Sequence, residues 1–245
     1  MQSAPPFLEI CINEDEHLLQ SVEAACQGGA DRIELCSRMD LDGLTPSLKA
    51  VRSAAAVCKD RAALMVMIRL RAGDFFYTCL ETAQMIRQIE AAAEAGADGV
   101  VFGAVKEGQI DLSTLRQLTR AAHSCGLAVT FHRAFDALHH PLQELQILSA
   151  LGVKRILTAA EPWGASAEWT ERCSNWHDLL EKADGVEVIL AGGLTPRLAA
   201  AALRSLPYRG RIVSVHAYSA ALRDGITDRE KVGEFFEALQ AFRSL

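Results

Sequence analysis

The sequence predicts one fold class, a (β/α)8 barrel, α/β and built as a single domain over residues 1–245. Three observations predict it. Short β-rich runs alternate eight times with longer helical stretches. Six of those runs follow closely on a glycine, where a helix can end in a left-handed turn that only a missing Cβ makes comfortable. The chain has 245 residues, close to the roughly 250 that one such barrel uses, and no linker or change of composition divides it.

The elements follow in order. The first strand is FLEICI, and a helix over 15–28 runs up to Gly29, which precedes ADRIELC. A helix over 46–58, with Pro46 at its first position, leads to LMVMIR at 64–69. The stretch 78–95 ends at Gly96 and hands over to ADGVVFG. The next helix, 112–125, contains STLRQLTRAAHSC, whose apolar residues recur every three or four positions. Gly126 then precedes LAVTFH. Pro141 opens a helix over 141–151, and Gly152 precedes VKRILT. The stretch 166–184 ends at Gly185, before VEVILAG. Pro196 opens a helix over 196–205, Gly210 precedes RIVSVH, and a last helix covers 228–243. The β-rich runs are too short and too β-branched to be good helices. Strand then helix, repeated, requires parallel strands with crossover helices. A doubly wound open sheet is the alternative, but no GxGxxG follows the first strand.

Composition excludes several functions. The net charge is −6 and no basic run stands out, so neither nucleic acid nor an anionic membrane surface is an expected partner. MQSAPPFLEI has no basic region and no long apolar stretch, unlike a signal peptide. No apolar run reaches the roughly 18 residues of a membrane span. Seven cysteines, with no CxxC, argue against a disulfide framework. The expectation is a soluble cytoplasmic protein with reduced thiols.

Barrel chemistry sits at the C-terminal ends of the strands. Side chains alternate across a strand, so Glu9 shares a face with Cys11, Glu34 with Cys36, Thr130 with His132, and Ser214 with His216. Buried carboxylates need partners, and Arg69 and Arg71 are the expected ones for Glu9 and Glu34. In VTFHRAFD, His132 is expected to point into the mouth and Arg133 outward, with Asp136 orienting His132 or pairing with an arginine.

Together, LEIC, GGADRIELC, GLTPS, VMIRLRAGDFFY, GADGVVFGAV, VTFHRAFD and AGGLTP resemble the CutC family, the copper homeostasis proteins, from about Leu8 to about Ser219. The resemblance implies a TIM barrel, a cytoplasmic location, a link to copper, and a polar mouth of Glu9, Cys11, Glu34, Cys36, Arg69, His132 and His216. The sequence departs from the family pattern at Leu70 and Ala72 (RLRAGDF where the family has RPRGGDF), at Asp42 (DGLTPS for GGLTPS), and at Ala159 and Ala160 (LTAA for LTSG).

Three functions stay open. Cys11 and Cys36 end adjacent strands, and soft thiolates suit Cu(I) as a cofactor or cargo; His132 or His216 could add a ligand. Alternatively, the barrel is an isomerase, lyase or hydrolase for a small anionic carboxylate or phosphate. Its catalytic set would be Glu9, Glu34, Arg69, His132 and His216. Its anion would lie on Arg69, Arg71, Asp74 and the glycines of AGGLTP, Gly192 and Gly193. Lysines at the mouth are scarce, which disfavours a Schiff-base aldolase. The third function is a non-catalytic binding barrel. Trp169, Cys173 and Trp176 share a helix face and could form a homodimer contact. The cysteines at 26, 58, 79, 125 and 173 are expected not to converge.

Overall fold

The computed structural model describes residues 6–207 and 210–243; residues 1–5, the first half of the segment expected not to be a signal peptide, lie outside this range. Eight strands form a closed barrel: β1 (Phe7–Asn13), β2 (Arg32–Cys36), β3 (Ala63–Met67), β4 (Gly99–Phe102), β5 (Ala128–Phe131), β6 (Arg155–Thr158), β7 (Glu187–Leu190) and β8 (Val213–Ala217). Each pairs in parallel with the next, and β8 closes onto β1. The crossover helices are α1 (Leu18–Gln27), α2 (Leu48–Cys58), α3 (Cys79–Glu94), α4 (Leu112–Ser124), α5 (Pro141–Ala150), α6 (Trp169–Lys182) and α7 (Pro196–Ser205), and α8 (Arg229–Arg243) covers the closure.

The local reasons are those of the sequence. Gly29 and Gly96, just past α1 and α3, carry φ of 93° and 97°, which an L side chain rarely adopts. Thr78 and Glu81 form a capping box at the start of α3. On α4, Leu115, Leu118, Thr119 and Ala122 form the buried stripe that the three-and-four spacing requires. Pro141 and Pro196 are first residues of their helices. Pro46 is not: Ser47 caps α2, its Oγ accepting from Ala50 N–H at 3.2 Å, and the helix begins at Leu48.

Two small hairpins were not expected. Val105–Lys106 pairs with Gln109–Ile110, and Leu222–Arg223 with Ile226–Thr227. Their turns are Glu107-Gly108 and Asp224-Gly225, all four residues at positive φ, as a two-residue type I′ turn demands.

The outward residues of the strands join the helices in one apolar core that includes Ile33, Leu35, Val129, Phe131 and Val215. Trp176 belongs to it, fully buried, with Trp169 edge-on at 5.9 Å. The expectation of a contact surface on this face is therefore corrected for Trp176, whose indole is consumed by helix-to-barrel packing. The inward residues form separate small clusters, polar and sulfur-rich on one side and apolar at Leu157, Ile189 and Ala191, and the polar ones build the site.

Candidate functional site at the barrel mouth

Register places the inward side chains in steps. Glu9 lies opposite Arg32 on one side and His216 on the other; Cys11 lies opposite Glu34, and Asn13 opposite Cys36. The lowest step is an ionic network. Arg32 donates to Glu9 at 3.0 Å, to Glu187 at 2.5 Å and to Ser214 at 3.0 Å, and Ser214 also hydrogen-bonds Glu187. Arg155 donates to Thr130 at 2.9 Å. The partners expected for the carboxylates are thus corrected: Arg32 and His216, not Arg69 or Arg71, neutralise Glu9. Arg32 starts its strand and shares the inward parity of Glu34 and Cys36.

One step higher, His216 Nδ1 lies 2.8 Å from Glu9 and Nε2 lies 3.8 Å from Glu34. The Arg32 guanidinium and the bond to His216 outweigh burial and hold Glu9 down at about 2. The facing carboxylates hold His216 well above the usual imidazole range. Burial pushes Glu34 upward. Glu9 and His216 form the close ion pair of this step.

At the next level sulfur dominates. Cys11 Sγ is 3.9 Å from Cys36 Sγ and 3.8 Å from Met39 Sδ, and Cys36 Sγ is 3.7 Å from Glu34. Cys11, Cys36, Met65 and Met67 pack in one buried cluster, with Met39 and Tyr218 against it. The hydrogen bond that Cys11 donates to Cys36, together with burial, pushes the Cys11 thiol up, and Cys36 is pushed up to about 11, so a metal must displace protons to bind here. One ligand atom each from Cys11, Glu34 and Cys36, and likewise from Glu9, Glu34 and His216, lie within 4.8 Å of one another. The second group suits a hard cation less well, because Glu9 is already committed to Arg32.

The far wall carries nitrogen donors. His132, the residue after β5, is buried beside Arg69, which follows β3, and both line a cavity of about 210 Å³ with Cys11, Glu34, Cys36 and His216. His132 Nδ1 accepts from Ala134 N–H at 3.1 Å. Burial and the Arg69 charge depress its pKa to about 3, so the ring is neutral and suited to donate rather than to act as a base. Asp136 does not orient it; that carboxylate pairs with Arg133 at 2.8 Å and bonds Thr158 and the Ala159 N–H. Arg133 leans toward the loop after β6 and also forms the cavity rim, 5.2 Å over the Trp163 ring.

Gly192 and Gly193 line the cavity, but Arg71 and Asp74 do not. Arg71 pairs with Asp74 at 2.9 Å and with Glu81 at 2.7 Å on the outer face, which corrects their assignment to an anion site. Met39, Trp163 and Tyr218 are lining residues the sequence reading missed; all three lie in loops just past strand ends, where no periodic pattern marks them. Cys26 and Cys58 do converge, against expectation. Their thiols hydrogen-bond where α1 and α2 end, at the opposite end of the barrel.

Comparison with known proteins agrees with this arrangement. The CutC family model matches residues 7–218. The chain belongs to the CutC family. It is 38% identical over 224 residues to the family protein CutC of Agrobacterium fabrum, covering 91% of this chain and 82% of that one. The solved structure of CutC from Streptococcus agalactiae, described as a candidate copper homeostasis protein, superposes with a TM-score of 0.75 at 27% identity, over 86% of this chain and 98% of that one. A 3-keto-L-gulonate-6-phosphate decarboxylase from Vibrio cholerae has a TM-score of 0.64 at 15% identity, over 98% and 99% of the two chains, and shares the barrel fold. Asp42 and Ala160, where the sequence departs from the pattern of the family resemblance, hold positive φ of 61° and 58°.

Proposed function

We propose that this member of the CutC family is a cytoplasmic copper homeostasis protein that takes Cu(I) at the barrel mouth, on Cys11 and Cys36 with Met39 as the third ligand. The observation that carries the reading is the convergence of three sulfur atoms, Cys11 within 3.9 Å of both others. Two thiols and a thioether are a soft donor set, which favours Cu(I) over hard cations. The ionic network beneath, centred on Arg32, engages Glu9 and Glu187, two of the carboxylates a hard cation could use. The neighbouring cations His216 and Arg69 offset the negative charge that two thiolates would bring.

The test is Cu(I) affinity of the reduced protein, measured anaerobically against a chromogenic Cu(I) chelator. One-to-one binding is expected, lost in Cys11→Ser/Cys36→Ser and weakened about tenfold or more in Met39→Leu, the loss of one ligand costing over about 1.4 kcal/mol. Binding unchanged in the double variant would reject the site. His132→Asn, at the opposite wall, should leave Cu(I) affinity as it is.

A further inference from the structure

The cavity wall holds Arg69 and His132, each with a buried N–H donor that meets no acceptor among the described residues. Arg69 spends both terminal nitrogens on backbone. Nη1 donates to the carbonyls of Leu41, Asp42 and Gly43 at 2.9, 3.2 and 3.3 Å, and Nη2 to that of Gly73 at 3.2 Å. Its Nε is buried without a partner. Among the described residues no carboxylate forms a salt bridge with this guanidinium, and Asp42 acts on it only at longer range, although the residue is only 2% exposed. A buried cation with no close counter-charge is costly.

His132 presents the second donor. Because Nδ1 accepts from Ala134 N–H, the neutral ring carries its proton on Nε2, and Nε2 is also buried without a partner. The ring cannot readily turn away. A Cβ on Gly103 would come within 2.7 Å of Nδ1, and the Phe75 ring centroid lies 5.1 Å from the imidazole. The same Phe75 ring lies 5.1 Å from the Arg69 guanidinium carbon. Phe75, Trp163, Leu157 and Leu194 add apolar wall around these donors.

We infer that this wall binds a small carboxylate-bearing metabolite, its oxygens accepting from Arg69 Nε–H and His132 Nε2–H and its short carbon chain lying against Phe75 and Trp163. The unpaired cation selects a negative ligand. A neutral, rigidly held second N–H selects an oxygen acceptor beside that charge. Two fixed donors and an apolar wall suit a carboxylate, with its two oxygens and attached carbon chain, better than a phosphate, which presents more acceptors than these groups can satisfy. This site lies across the same cavity from the sulfur cluster and uses different donor atoms.

The test uses reduced, copper-free protein with a Cu(I) chelator present. Formate, pyruvate, lactate, malonate and inorganic phosphate are titrated separately, followed by calorimetry and by the fluorescence of Trp163, with Trp163→Phe identifying the signal. At least one carboxylate should saturate with a Kd below about 1 mM. The ¹⁵N resonance of His132 Nε2 should shift in the same titration, a readout that needs no variant. His132→Asn keeps an acceptor for Ala134 N–H but has no donor at the Nε2 position, and it should weaken binding about tenfold. The inference fails if no carboxylate saturates by about 20 mM, if phosphate binds and carboxylates do not, or if the bound ligand leaves the Nε2 resonance unmoved. Because copper is withheld, these outcomes are independent of the Cu(I) measurement.

Discussion

Thiols of one chemical kind sit in opposite environments here. Cys11 and Cys36 are sealed in the mouth beside Glu34, and both are pushed above the ordinary thiol range, Cys36 to about 11. Cys26, at the other end, is half-buried; the Cys58 thiol donates to it, and Arg61 stands nearby, so its pKa falls to about 7. The Cys58 thiol is raised in turn by that same bond. Thiolate, not thiol, is the nucleophile. Alkylation of the reduced protein by iodoacetamide, followed by peptide mass mapping, should therefore modify Cys26 at pH 7 with a rate midpoint near about 7, while Cys11 and Cys36 stay unmodified in the folded chain. A midpoint for Cys26 near the ordinary value of 9.0 would refute the pairing with Cys58. The sequence could not show this pair, because residues 26 and 58 end different helices and only the packing of α1 on α2 brings them together.

Elements were more legible than contacts. All eight barrel strands and all eight helices lie where alternation and glycine placement put them, because both signals are local. Strand parity likewise placed Glu9, Cys11, Glu34, Cys36 and His216 on the inner face. The same parity, carried down β2 to Arg32, would have found the true partner of Glu9; Arg69 looked suitable only because it ends a neighbouring strand. The hairpin turn Asp224-Gly225 was also written in the sequence, as a DG pair. What stayed illegible was loop geometry: which way Arg71 turns, and that Met39 folds back over Cys11. Loops carry strain too. Ala160, just past β6, holds φ of 58°, a conformation that costs an L residue about 1–2 kcal/mol, where the family pattern has glycine. Part of that cost returns as the greater chain entropy glycine loses on folding. Ala160→Gly should therefore stabilise the protein by about 0.5–1 kcal/mol, read as a higher denaturant midpoint with unchanged slope. An unchanged or lower midpoint would show that the loop gains nothing from glycine.

His132 is buried by the whole molecule rather than by its own strand. Gly103 from the end of β4, Phe75 from the loop after β3 and the charge of Arg69 converge on it only when the barrel is closed. Its protonation is therefore coupled to global unfolding. Burial, aided by the Arg69 charge, depresses its pKa in the folded state to about 3, against an ordinary 6.5. Between those values the unfolded chain binds a proton at this residue and the native barrel does not. Stability from the neutral imidazole is thus fully present above about pH 6.5 and is lost as pH falls toward 3. Other groups titrate in the same window, and Glu34, raised by burial, acts in the opposite direction. The comparison that isolates His132 is therefore wild type against His132→Asn, which cannot take up the proton. Across roughly pH 6 to 4, the stability difference between the two should move against the wild type by about 1.4 kcal/mol per pH unit. Urea unfolding at several pH values measures it directly. A difference that stays constant across the window would mean that the native ring is protonated near its ordinary pH, and that the barrel does not enforce a neutral donor at the head of its cavity.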